Sequence, residues 1–132
     1  GCICSRECAD MHGLDVVEPA IAADPNNATR FICISREMEV YDGADTIAVS
    51  LSLPHISGSL YRMLTKFAVN ELDLTKIQSK PLPLEYRTAE DEFMFYLEFS
   101  GNISQPVVLR LLNNFGTEYS YFRLHGNFME VR

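Results

Sequence analysis

An α+β fold is predicted for most of this chain, with elements in the order β-α-β-β-α-β. Two observations carry it. Ile47, Val49, Leu51 and Leu53 in one segment, and Phe93, Phe95, Leu97 and Phe99 in another, recur with a period of two, which places one face of each strand in a core. Two intervening segments instead repeat apolar residues with helical spacing. One holds Leu60, Met63, Leu64, Phe67 and Ala68; the other holds Val108, Leu111, Leu112 and Phe115. That order is the ferredoxin-like, or split βαβ, arrangement: an antiparallel four-stranded sheet with two helices on one face. A partial α/β segment precedes it.

Composition narrows the function classes. The chain has 132 residues, of which 47% are hydrophobic and 22% charged, with eleven basic and eighteen acidic residues for a net charge of −7. No run reaches the ~18 apolar residues of a membrane span, so no membrane partner is expected. The acidic balance lacks the basic blocks that neutralise phosphates, so nucleic acid is not an expected partner either. Charge is uneven: residues 1–44 hold three basic and eight acidic residues, residues 45–132 eight and ten. Together with a start at Gly1 and not at Met, this suggests two parts, 1–44 and 45–132, cut from something longer. No secretory signal is visible, which fits a cytoplasmic protein.

In the first part, Ile3–Leu14 reads as a helix closed at Gly13, the residue suited to a left-handed cap. Asp15–Glu18 reads as a short strand, and Asp24-Pro25-Asn26-Asn27 as a turn. Arg30–Ser35 is a short apolar run and reads as a buried strand. Three of the four cysteines (Cys2, Cys4, Cys8) crowd the first eight residues, with Cys33 apart. No two spaced pairs are present to make a zinc site, so all four are expected to be small, buried, reduced thiols.

The second part begins after the Asp42-Gly43-Ala44-Asp45 break. Strand Thr46–Leu53 should bury Ile47, Val49, Leu51 and Leu53 and cover its other face only lightly. Pro54–Gly58 ends it and the first helix follows. Leu72–Ser79 is a second strand whose apolar phase slips between Leu74 and Ile77, the mark of a bulge near Thr75-Lys76. Pro81 and Pro83 close it. Leu84–Glu92 is a polar connection in which Glu90-Asp91-Glu92 reads as a solvated loop. After the third strand, Ser104 reads as the cap of the second helix and Gly116 as its end. Phe122 and Leu124 mark a last strand that finishes near Gly126.

Catalytic signatures are missing: no Gly-rich phosphate loop, no nucleophile elbow and no His-Glu-x-x-His. His12, His55 and His125 are scattered and read as surface or loop residues. No metal site and no cofactor are expected. One local feature has chemical content. Gly58-Ser59-Leu60-Tyr61 opens a helix directly after a strand, where unpaired backbone N–H groups and the helix dipole suit a small anion such as a carboxylate.

Those residues carry a resemblance. Ser52-Leu53-Pro54-His55, Gly58-Ser59-Leu60-Tyr61-Arg62 and Leu72-Asp73-Leu74-Thr75-Lys76-Ile77-Gln78-Ser79-Lys80-Pro81 resemble the ACT regulatory domain of prephenate dehydratase. That domain reads phenylalanine with a Gly-Ala-Leu-Val-like turn and a Glu-Ser-Arg-Pro segment, here Gly58–Tyr61 and Gln78–Pro81. Upstream, Asn26–Phe31 is similar to the dehydratase motif Asn-x-x-Thr-Arg-Phe, and Ser5–Leu14 to the helix before it.

The resemblance implies a larger parent enzyme, nearest to a bifunctional chorismate mutase/prephenate dehydratase. It converts prephenate to phenylpyruvate, carbon dioxide and water. Residues 1–44 would be the C-terminal remnant of the dehydratase domain and 45–132 the ACT domain. It further implies that Thr29 protonates the departing hydroxyl in the parent, supported by Arg30 and Phe31, and that this piece alone is inactive. For the effector L-phenylalanine it implies a site of Gly58, Ser59, Leu60, Tyr61, Asp73, Leu74, Thr75, Ile77, Gln78 and Ser79, at the interface of a homodimer formed through ACT domains. Gln78 and Lys80 depart from the family's Glu and Arg, which keeps open an alternative: a structural dimerisation module that no longer binds an amino acid.

Overall fold

In a computed structural model of the chain, residues 1–24, 29–88 and 93–130 are described. Chain contacts divide it into two compact units, Gly1–Ile34 and Ser35–Arg132.

The first unit is built around one short helix, α1 (Arg6–His12). Ser5 caps its start, its hydroxyl accepting from the Cys8 amide at 3.3 Å. Gly13 closes it in the left-handed region at φ 61°, as the sequence predicts. The helix is shorter than expected at both ends. Three other expectations fail in this unit. Asp15–Glu18 is not a strand, and neither is Arg30–Ser35. Phe31, Ile32 and Ile34 stand 87%, 75% and 88% exposed. A strand needs a neighbour to take its backbone hydrogen bonds, and apolar character alone supplies none. The cysteines are free but not buried: Cys2, Cys4 and Cys33 are exposed and Cys8 is intermediate. The predicted turn at Asp24–Asn27 lies mostly outside the described residues, as does the Glu90–Glu92 loop.

The second unit carries the sheet. Its elements are β1 (Thr46–Ser52), α2 (Ser59–Val69), β2 (Leu74–Pro81), β3 (Phe93–Ser100), α3 (Pro106–Glu118) and β4 (Phe122–Phe128). The strands form one antiparallel sheet in the order β2-β3-β1-β4, which is the predicted α+β arrangement. Register follows from the alternation: Ile47 pairs with Phe99, Val49 with Leu97 and Leu51 with Phe95. These apolar pairs share one face, and α2 and α3 pack on it. Met63 and Phe67 from α2 join Val108, Leu111, Leu112 and Phe115 from α3 in a single core. Phe67 sits at its centre, its ring 5.1 Å from Phe99 and 5.7 Å from Phe115.

The expected bulge in β2 is present, with the register shifting between Leu74 and Lys76. A second lies in β1–β4, between Ala48 and Val49. The other face of β1 is more covered than expected. Ala48, Ser50 and Ser52 are essentially inaccessible, because β1 is central and larger neighbours such as Tyr96 and Glu98 stand beside these small residues. The ends of α3 also differ from expectation. Its cap is Gln105, with Pro106 at the first helical position, and the helix runs through Gly116 to Glu118. Ser104 is engaged elsewhere, its amide and hydroxyl both donating to Asn102 Oδ1. Before β1, Val40 forms a parallel bridge with Asn127 of β4.

Candidate functional site

The junction between β1 and α2 makes a concavity. Leu53, the residue after β1, is still buried, and Pro54 turns the chain away from the sheet. The Ile56 amide donates to the Pro54 carbonyl at 2.8 Å, and the Ser59 amide to the Ile56 carbonyl at 3.2 Å. Gly58 then caps α2 with φ 82°, a left-handed conformation that a side chain resists. Having no side chain, it makes no capping hydrogen bond. The Arg62 amide returns to the Gly58 carbonyl at 2.9 Å. The amides of Leu60 and Tyr61, inside that first turn, have no intrahelical acceptor.

A cleft of about 520 Å³ opens there. Its apolar walls are Leu53, Ile56, Leu60, Phe93 and Phe95; its polar groups come from His55, Ser57, Ser59 and Ser79. Ser59 is nearly buried, and Arg62 donates to its hydroxyl from Nη2 at 3.4 Å. A smaller cleft of about 120 Å³ adjoins it, lined by Ser59, Arg62, Glu118 and Tyr119 among others. Burial first, and the Glu118 carboxylate second, push the Tyr119 hydroxyl up to about 12, so it stays protonated as a donor at neutral pH. Lys66 pairs with Glu118 on the next turn of α2.

The residues named from the sequence are distributed unevenly about this cleft. Ser59, Leu60 and Ser79 line it. Gly58 shapes its rim, and Tyr61 stands beside it largely exposed. Ile77 and Ser79 pair with Leu97 and Phe95, whereas Gln78 pairs with Tyr96 and therefore projects from the opposite face of the sheet. Asp73, Leu74 and Thr75 lie at the far end of β2, about 17 Å along the strand from Ser79 at ~3.3 Å per residue. There the Asp73 carbonyl accepts from the Ser100 amide at 2.8 Å. Thr75 Oγ1 donates to the Glu98 carbonyl at 3.1 Å, and Leu74 packs on the core. Thr29, Arg30 and Phe31 belong to the other unit, in irregular exposed chain.

His55, Ile56, Phe93 and Phe95 are the cleft residues that sequence reasoning did not single out. Phe93 and Phe95 alternate like core residues, and no pattern in the chain says that their end of β3 runs out past the helices. His125, expected as a surface or loop residue, is exposed on β4, with Nε2 at 2.7 Å from Ser50 Oγ. Among the described residues, no group of three or more His, Cys, Asp or Glu side chains is placed to hold a metal ion. No helix there is long and apolar enough to cross a membrane.

Comparison with known proteins shows what the chain is similar to. The family model described as prephenate dehydratase matches residues 1–39. A prephenate dehydratase of Mycolicibacterium vanbaalenii is 34% identical over 103 residues, covering 76% of this chain and 32% of that protein. A bifunctional chorismate mutase/prephenate dehydratase of Neisseria gonorrhoeae is 25% identical, covering 96% of this chain and 34% of its own length. Among solved structures, the prephenate dehydratase of Arthrobacter aurescens, in complex with L-Phe, superimposes with a TM-score of 0.60. It is 22% identical and covers 71% of this chain and 30% of that one. That likeness supports the ACT-like fold. The chain spans about a third of the length of these curated relatives, and it is related to the C-terminal region of the prephenate dehydratases.

Proposed function

We propose that this chain is the regulatory portion of a prephenate dehydratase and that its sheet-and-helix unit binds L-phenylalanine as feedback effector. The observation that carries this reading is the cleft at the start of α2. Two first-turn amides, the positive helix end and nearby Arg62 suit a carboxylate. Leu60, Phe93 and Phe95 offer an apolar wall for a phenyl ring. The Arthrobacter relative was solved with L-Phe bound, which makes that amino acid the first ligand to test. The other residues named from the sequence, Asp73, Leu74, Thr75, Ile77 and Gln78, lie away from this cleft within one chain. They would contribute from the second copy of a homodimer that places the effector at its interface.

In the same reading the parent enzyme converts prephenate to phenylpyruvate in the cytoplasm. Residues 1–44 are the end of its catalytic domain, with Thr29, Arg30 and Phe31 acting there. Exposed Phe31, Ile32 and Ile34 are surfaces that the rest of that domain would cover, and a catalytic acid acts only when the cleft holds its substrate within hydrogen-bond reach. This chain alone is therefore expected to release no phenylpyruvate. Effector binding regulates only if affinity differs between two arrangements of the parent. Isothermal calorimetry with L-Phe, L-Tyr and L-Trp tests the reading. Heat with L-Phe that disappears on Gly58→Val supports it; no heat with any of the three, up to millimolar concentrations, removes it. The second reading, a dimerisation module without a ligand, rests on β2, an edge strand exposed along nearly its whole length. A dimer that binds none of the three amino acids would favour it.

A further inference from the structure

Neither Cys2 nor Cys4 lines the cleft at the start of α2. Their sulfurs are 3.9 Å apart, and both side chains are exposed and free. The chain that carries them has no regular structure until α1 begins at Arg6. Its backbone can therefore adjust as the sulfurs close to the ~2.05 Å of a disulfide. Cys8 is different: it sits in the first turn of α1, where its amide is held by Ser5. The hydrogen bond with Cys2 first, and lost hydration second, push Cys4 up to about 11, with Cys8 adding less. Cys4 thus holds its proton more firmly than a free thiol does.

We propose that Cys2 and Cys4 form a dithiol pair that exchanges with small-molecule disulfides of the glutathione class and closes an internal Cys2–Cys4 disulfide. In the first step the Cys2 thiolate attacks one sulfur of the small disulfide. A mixed disulfide forms on Cys2 and one small thiolate leaves. Cys2 is then no longer a thiol, so the hydrogen bond with Cys2 that most held the proton on Cys4 is gone. Cys4 gives up that proton, attacks Cys2 Sγ and displaces the second small thiol. Two protein thiols are oxidised to one disulfide, and one small disulfide is reduced to two thiols. Exposure of both sulfurs gives the reagent access, and their proximity makes the second step intramolecular.

The test is to incubate the 132-residue chain with oxidised glutathione and then count thiols and measure masses. Free thiols are expected to fall from four per chain to two, with no glutathione retained. Trypsin cleavage after Arg6 releases Gly1–Arg6, which contains Cys2 and Cys4 and no other cysteine. That peptide is expected to be lighter by two hydrogens. Cys4→Ser should stall the exchange with one glutathione held on Cys2, whereas Cys33→Ser should leave the internal disulfide unchanged. Both changes are at exposed positions of the first unit, and a circular dichroism spectrum matching the parent's confirms that folding is intact. Four surviving thiols, stable glutathione adducts on several cysteines, or a disulfide involving Cys8, Cys33 or a second chain would each overturn the proposal.

Discussion

Ser50 Oγ and His125 Nε2 meet at 2.7 Å across β1 and β4, although 75 residues separate them in the chain. Ser50 is fully buried, so the ring is the partner that satisfies its hydroxyl on the open face of the sheet. Burial first, and the charge of Arg123 second, hold His125 below the ordinary histidine value. The folded state therefore prefers the neutral ring. As pH falls through about 6.5, the unfolded chain takes up this proton first, and stability is lost with falling pH. Urea unfolding at pH 7.5 and pH 5.5 is expected to show that loss. His125→Ala should shrink the pH-dependent part and cost about 1–2 kcal/mol at pH 7.5, because a buried hydroxyl loses its partner.

Asn127 closes the other end of the same sheet. It is 2% exposed, its Oδ1 accepts from the Ile103 amide at 2.8 Å, and its Nδ2 donates to the carbonyls of Thr46 at 3.0 Å and Gly101 at 3.3 Å. Asn127→Asp keeps the shape but removes both donor hydrogens and adds a charge. A destabilisation of at least ~2 kcal/mol is expected in urea unfolding, close to that of Asn127→Ala.

Phe67 joins the two helices and the sheet through its contacts with Phe99 and Phe115. Phe67→Ala should cost about 3–5 kcal/mol, through lost burial and the cavity left behind. The urea midpoint should fall while the dependence on denaturant stays the same.

Glu71 follows the Asn70 cap of α2 with φ 55°, an uncommon conformation for a residue with a side chain. The chain turns there so that the Leu72 amide can reach the Phe67 carbonyl at 3.0 Å. Glu71→Gly should relieve about 1 kcal/mol of strain, offset in part by the freedom glycine gains in the unfolded chain. A net rise in thermal midpoint is expected.

At Gly58 the opposite change is informative. An added Cβ would meet Arg62 Nη1 at 3.4 Å, and φ of 82° would strain any side chain. Gly58→Ala is expected to cost about 1–2 kcal/mol in thermal unfolding. Under the proposed function, calorimetry on the folded variant should also show weakened L-Phe binding, because a shifted turn would move the amides of Leu60 and Tyr61.

Much of the sheet-and-helix unit was legible in the sequence because its signals are local. Period-two and helical spacing mark which residues can share a face, and the slip between Leu74 and Ile77 announced the bulge that the register of β2 and β3 contains. Failures came where a residue's role depends on what lies beside it. Arg30–Ser35 has a strand's composition but no strand partner, and Ser104 has a cap's chemistry but bonds to Asn102 instead. Ser59, Leu60 and Ser79 were named from the sequence and line one cleft, but the Phe93 and Phe95 wall was not foreseen.

The sequence by itself determined the order of elements in the sheet-and-helix unit, the apolar faces they turn to the core and the resemblance to prephenate dehydratases, because alternation and motif spacing are properties of neighbouring residues. Only the tertiary structure decided that the end of β3 and Ser79 of β2 meet the start of α2, that Gln78 turns away from that cleft, and that His125 covers Ser50. Those are contacts between distant segments. They depend on strand register and on bulges, where a shift of one residue moves a side chain to the opposite face of the sheet.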